Sequence, residues 1–161
     1  TIITRMGFNI AGLIFKNDVG NEKELERLLN IKLEYKSTVN FEDATSSSRD
    51  ENTIDVLHTA HGALVIMTLG EIFDISTIQN EVVQFMVSDV SDTYYFEKYS
   101  EGKLDRKYIS SMGEVIEDVG DGIVNEENDL MEIVWEIADD YLQNNFSDNM
   151  FDLNFKRYEI K

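Results

Sequence analysis

The 161-residue chain contains no cysteine and no proline. Without thiols it can build no disulfide, no thiolate metal centre and no cysteine nucleophile, a composition that fits a reducing cytoplasm. Without proline, its turns fall to Gly, Asn and Asp. It has only two histidines, His58 and His61, three residues apart around an expected turn, with no neighbouring acid to complete a metal site. No apolar run approaches the roughly 18–20 residues of a membrane span, so a soluble, cytoplasmic protein without membrane contact is expected. The N-terminus lacks the basic-then-apolar pattern of a secretory leader. Met6-Gly7 reads as a natural start, which would set residues 1–5 outside the native sequence.

Several catalytic signatures are missing as well. Gly7, Gly12 and Gly20 match neither the dinucleotide nor the phosphate-loop spacing, and GxSxG, HExxH and SxxK do not occur. The stretch EDVGDGIVNEEN (117–128) resembles a calcium loop until its twelfth position, where Asn128 replaces the bidentate acid. An acid pair alone cannot define a glycosidase in so acidic a chain. The balance leans away from an enzyme, and no cofactor and no metal are expected.

Basic residues are scarce and unevenly placed. Thirty-two acids face fourteen bases, a net charge of −18. From Tyr108 through Phe155 there is no Lys or Arg, while 13 acids fall in those 48 residues. Such a field repels nucleic acid and anionic lipid and attracts basic surfaces.

What the chain does contain is enough to fold: 42% hydrophobic residues, including nine Phe, seven Tyr and one Trp. Thr93 to Ser110 reads as a β-hairpin turning at Glu101-Gly102. A two-residue tip sets Ser100 opposite Lys103, Tyr99 opposite Leu104, Lys98 opposite Asp105, Glu97 opposite Arg106 and Tyr95 opposite Tyr108. The aromatic run Tyr94, Tyr95, Phe96 and Tyr99 is assigned to packing, because base stacking would lack its basic partner. Met6 to Lys16 is apolar on both alternating faces, as in a central strand. Asn21 caps a short helix with Glu24 three residues on, and Leu25, Leu28 and Leu29 form its buried stripe. Ile31, Leu33 and Tyr35 alternate as a strand, and Glu42 to Asn52 reads as an exposed mobile loop. Thr53 to Leu69 forms a second hairpin turning near Ala60 to Gly62. Val82 to Val90 is a further strand, Glu71 to Gln79 is ambiguous, and Gly113 to Ile123 is an acidic connection. A long helix follows over Glu126 to Gln143, and Phe151, Leu153 and Phe155 alternate in a closing strand.

The expected fold is therefore α+β: one domain over 1–161, with a mostly antiparallel sheet of six or seven strands. The long C-terminal helix and the short N-terminal one pack on it. On the long helix an acidic arc of Asp129, Glu132, Glu136, Asp139, Asp140 and Gln143 opposes the apolar face, with Trp135 at the border. Ordinary exposed helices mix signs at four-residue spacing; this one does not. Asp129, Glu132, Glu136, Asp139, Asp140 and Trp135 are accordingly the candidate partner-binding residues. The expected function is non-catalytic binding of a basic protein, as an immunity or inhibitor protein neutralises a toxin nuclease. The alternatives are a small-ligand binder or hydrolase using carboxylates with a divalent cation, and a homo-oligomer pairing through a sheet edge.

Overall fold

The computed structural model describes residues 8–122, 124–125 and 128–161. Nine strands form one open sheet: β1 (Asn9–Lys16), β2 (Leu33–Asn40), β3 (Thr53–His58), β4 (Gly62–Met67), β5 (Val82–Ser88), β6 (Thr93–Ser100), β7 (Lys103–Ser111), β8 (Glu114–Gly120) and β9 (Asn154–Ile160). The spatial order is β2-β9-β3-β4-β1-β5-β6-β7-β8, with antiparallel neighbours throughout. The class is α+β, as expected, with more strands than the six or seven anticipated.

β1 is central because both of its faces are apolar. Ile10 and Ile14 lie on one side, Ala11, Leu13 and Phe15 on the other, and all five are buried. Three layers result. Over one face pack α2 (Phe41–Ala44), α3 (Leu130–Leu142) and α4 (Phe146–Asn149), against Ile14, Leu64, Ile66, Val83 and Phe85. Over the other lies α1 (Glu22–Leu29), with Ile75 and Ile78 from the irregular 71–79 segment, against Leu13, Phe15 and Val65. At the start of α1 the Asn21 side chain accepts the Glu24 N–H at 3.1 Å, a cap of about 1 kcal/mol.

The β6–β7 hairpin turns where expected, with Glu101 at φ 52° and Gly102 at φ 77°, the left-handed pair a tight hairpin requires. Ser100 faces Lys103 and Tyr99 faces Leu104, but the register then shifts by one. Lys98 faces Arg106, Glu97 faces Lys107, Phe96 faces Tyr108 and Tyr95 faces Ile109, so the expected Lys98–Asp105, Glu97–Arg106 and Tyr95–Tyr108 pairs do not form. Asp105 is the bulged residue, and its carboxylate accepts the Ser100 hydroxyl. The slip turns Arg106 to the α3 face of the sheet, where carbonyls of Val119, Gly120 and Val124 and the Asp118 carboxylate receive its guanidinium. A buried cation must be satisfied, and that requirement outweighs the cross-strand pairs.

Three further boundaries differ. The segment read as an acidic connection is mostly strand β8, held to β7 by its backbone while its side chains stay largely exposed. Residues 42–44 belong to α2 with Ala44 buried, and the Arg49 side chain is buried too, so 42–52 is not exposed throughout. Phe151 lies in a 3₁₀ turn (Met150–Asp152) and is exposed, so the last strand starts only at Asn154. Residues 1–7, on which the start at Met6 was read, lie outside the described residues, as do Glu126 and Glu127 of the expected first helical turn.

Candidate partner-binding surface

α3 owes its position to one broad apolar face. Leu130, Met131, Ile133, Val134, Ala138, Tyr141 and Leu142 are buried against the central strands. Gly62 admits the end of the helix: a Cβ there would collide with the carbonyl oxygens of Phe15 and Tyr141. The Thr59 hydroxyl donates to the Leu142 carbonyl at 2.9 Å, satisfying one of the orphaned groups of the last turn. The Tyr141 hydroxyl donates to Glu81, and burial, reinforced by that carboxylate, pushes the phenol far above its ordinary range.

The six candidate residues separate into four roles. Asp129 is the N-cap of α3, its Oδ1 accepting the N–H groups of Met131 at 3.0 Å and Glu132 at 3.4 Å. Asp139, half-buried, accepts the Ser147 N–H at 2.7 Å and the Ser147 hydroxyl, which ties α3 to the start of α4. Trp135 is half-buried in a cluster of rings, its centroid 6.3 Å from Phe8, 5.8 Å from Phe41 and 5.3 Å from Phe146. Its indole therefore has a packing role inside the molecule.

Glu132, Glu136 and Asp140 are left. All three are exposed and follow at four-residue spacing, a stripe about 12 Å long at 1.5 Å per residue. Among the described residues no ion pair reaches any of the five candidate acids, and the bases that do form ion pairs meet other carboxylates. Lys16 and Lys98 face Glu81, Arg49 and Arg157 hold Asp55, Arg106 meets Asp118, and Lys107 lies between Glu97 and Glu117. Lys36 and Lys161 serve Glu34 and Glu159. Like charges at this spacing cost a few tenths of a kcal/mol per pair, roughly 0.2–0.5, that an incoming cation would relieve.

Two other polar arrangements escaped the sequence reading. Asp18 lies 2.7 Å from His58 Nε2, an acid beside the histidine that chain proximity did not reveal. The Gly20 N–H, and after it His58, hold the Asp18 carboxyl below the usual range. The pair is exposed, and forty residues separate its members, so no local pattern could have announced it. A cavity of about 250 Å³ opens beside Arg49, lined also by Asn9, Ser46, Glu51 and Thr68. Among the described residues no three His, Asp or Glu side chains converge as metal ligands, and no helix is long and apolar enough to cross a membrane.

Comparison with protein-family models, with curated proteins and with solved structures finds no match to this chain.

Proposed function

We propose that the chain is a non-catalytic interaction protein whose acidic surface takes up a basic protein partner, in the manner of an immunity or inhibitor protein that neutralises a toxic nuclease. The observation that carries this reading is the Glu132, Glu136 and Asp140 stripe, exposed and without a cation among the described residues. It lies within a 48-residue stretch devoid of Lys and Arg. A one-sided field of this kind steers a cationic partner and suppresses anionic ones, so association is fast and salt-sensitive. The cavity beside Arg49, at about 250 Å³, is smaller than the roughly 300–1,000 Å³ of ordinary ligand sites and is the weaker candidate.

The test is a pull-down from native lysate at low and at high salt, with the wild-type chain and with E132Q/E136Q/D140N. The expected result is a basic protein retained by the wild type at low salt, released by salt and recovered in smaller amount by the variant. Recovery of no basic protein at low salt, or equal recovery by the variant, would defeat the reading.

A further inference from the structure

The sheet ends at β8 with no strand beyond it among the described residues. Edge strands present unpaired backbone donors and acceptors, and proteins ordinarily cover or blunt them. This edge also carries three aliphatic side chains in the open: Val115 at 43%, Ile116 at 62% and Val119 at 47% exposure. They flank both faces of the sheet. Val115 lies opposite Ser110 and, through Tyr94 and Val87, in line with Ile10 on the α3 side. Val119 lies opposite Lys107 and, through Glu97 and Gln84, in line with Leu13 on the α1 side. Each face therefore ends in an apolar residue that one more strand would cover.

The charge on this edge selects its occupant. β8 contains Glu114, Glu117 and Asp118 and no base. Glu117 and Asp118 lean inward on Lys107 and Arg106 yet keep side-chain exposures of 43% and 54%, and Glu114 is exposed with no ion pair among the described residues. Antiparallel pairing with a second copy would gather the acids of both strands along one seam, and about Glu117 it would place that carboxylate opposite itself. Like charges facing across strands destabilise the pair. The acids that repel a copy attract a cationic strand.

We propose that β8 is the docking edge for an extended, basic segment of the partner, which adds to the sheet as a tenth strand. This rests on the reading of the chain as a binder of basic proteins and gives the contact a place: main-chain hydrogen bonds and the aliphatic trio hold, while the α3 stripe steers.

The probe is a labelled peptide of alternating lysine and valine, with a second version N-methylated at alternate residues so that its charge is kept and strand pairing is lost. Binding to the full chain is read by fluorescence anisotropy, and hydrogen exchange locates the contact. The alternating peptide is expected to bind, with slowed exchange at β8 amides. N-methylation, or the charge-preserving variant V115T/I116T/V119T, is expected to weaken binding roughly tenfold, while E132Q/E136Q/D140N changes it only a few-fold. Unchanged affinity for V115T/I116T/V119T, or protection on α3 and not on β8, would overturn the docking edge while leaving the basic-partner reading intact. Protection of β8 that rises with protein concentration alone would assign the edge to a second copy and overturn the proposal too. If neither this peptide nor a basic protein such as cytochrome c binds at low salt, the basic-partner reading itself fails.

Discussion

Asp55 is a fully buried carboxylate shared by two arginines. It sits on β3 with 0% exposure, and two guanidinium groups converge on it. Arg49 donates to Oδ2 at 2.9 Å, and Arg157 donates to Oδ1 at 2.7 Å and to Oδ2 at 2.9 Å. The two arginine side chains are themselves only 6% and 14% exposed. Asp55→Asn keeps the shape and removes the charge, leaving both cations buried without a counter-ion. Three charge-assisted hydrogen bonds at roughly 1.5–3 kcal/mol each would set an upper bound of about 5–9 kcal/mol. Part of that survives, because Arg49 still reaches the Thr53 carbonyl at 3.2 Å and Thr68 at 3.1 Å, and Arg157 the Asp43 carbonyl at 3.3 Å. The expected loss is therefore about 4 kcal/mol, in the range for breaking a buried ion pair. Domains of this kind hold roughly 5–15 kcal/mol in all. In urea, with a slope near 2 kcal/mol/M, the midpoint should fall by about 2 M. Removing all three partners together, as D55L/R49M/R157M, should cost far less, because no charge is stranded. A shift under about 1 kcal/mol for Asp55→Asn would show that solvent reaches the triad readily, and the argument from burial would fail.

Other perturbations read other parts of the fold. Arg106→Lys keeps the charge but cannot span the Asp118, Val119, Gly120 and Val124 oxygens, so amide exchange should quicken in β8 and at Val124, with a stability loss of about 2–4 kcal/mol by urea unfolding. Unchanged exchange there would show that the guanidinium does not fasten that edge. Gly62→Ala forces a methyl into the Phe15 and Tyr141 carbonyls, and thermal unfolding should register roughly 1–3 kcal/mol of overpacking. The Tyr94 phenol donates to Asp89 at 3.0 Å, and burial, then that carboxylate, pushes it up to about 12. Since an unfolded tyrosine ionises near 10, its contribution to stability is complete below about pH 10 and disappears as pH climbs through 12. Tyr94→Phe should remove that part of the alkaline loss, and a tyrosine titrating at its ordinary value in the spectroscopic curve of Tyr94 would contradict the assignment.

The parts of the fold visible in the chain are those decided by neighbours a few residues away. Asn21 and Glu24 set the start of α1, Glu101-Gly102 sets the hairpin tip, and the two-sided apolarity of β1 and β4 sets the centre of the sheet. What stayed hidden was decided at a distance. The bulge at Asp105 exists because Arg106 finds its acceptors in residues 118–124, and nothing between Thr93 and Ser110 encodes them. β8 reads as a loop because an edge strand pairs only through its backbone and leaves side chains in water, so its composition is that of a connection.

The same division runs through the candidate surface. Helical periodicity alone turns Glu132, Glu136 and Asp140 outward, and the α3 burial pattern agrees. It could not separate them from Asp129 and Asp139, which look identical in sequence. Asp129 became a cap because α3 begins at Leu130, and Asp139 because Ser147, eight residues on, follows a left-handed turn through Gln143 and Asn145. Whether an exposed acid remains uncompensated is a still longer-range question, settled by where every base goes. Here Lys16, Arg49, Lys98, Arg106 and Lys107 lock onto Glu81, Asp55, Glu97, Asp118 and Glu117. That pairing draws these five cations toward the sheet and its edges. The stripe is thus a part of the −18 charge that is exposed on this helix and that no ion pair among the described residues neutralises.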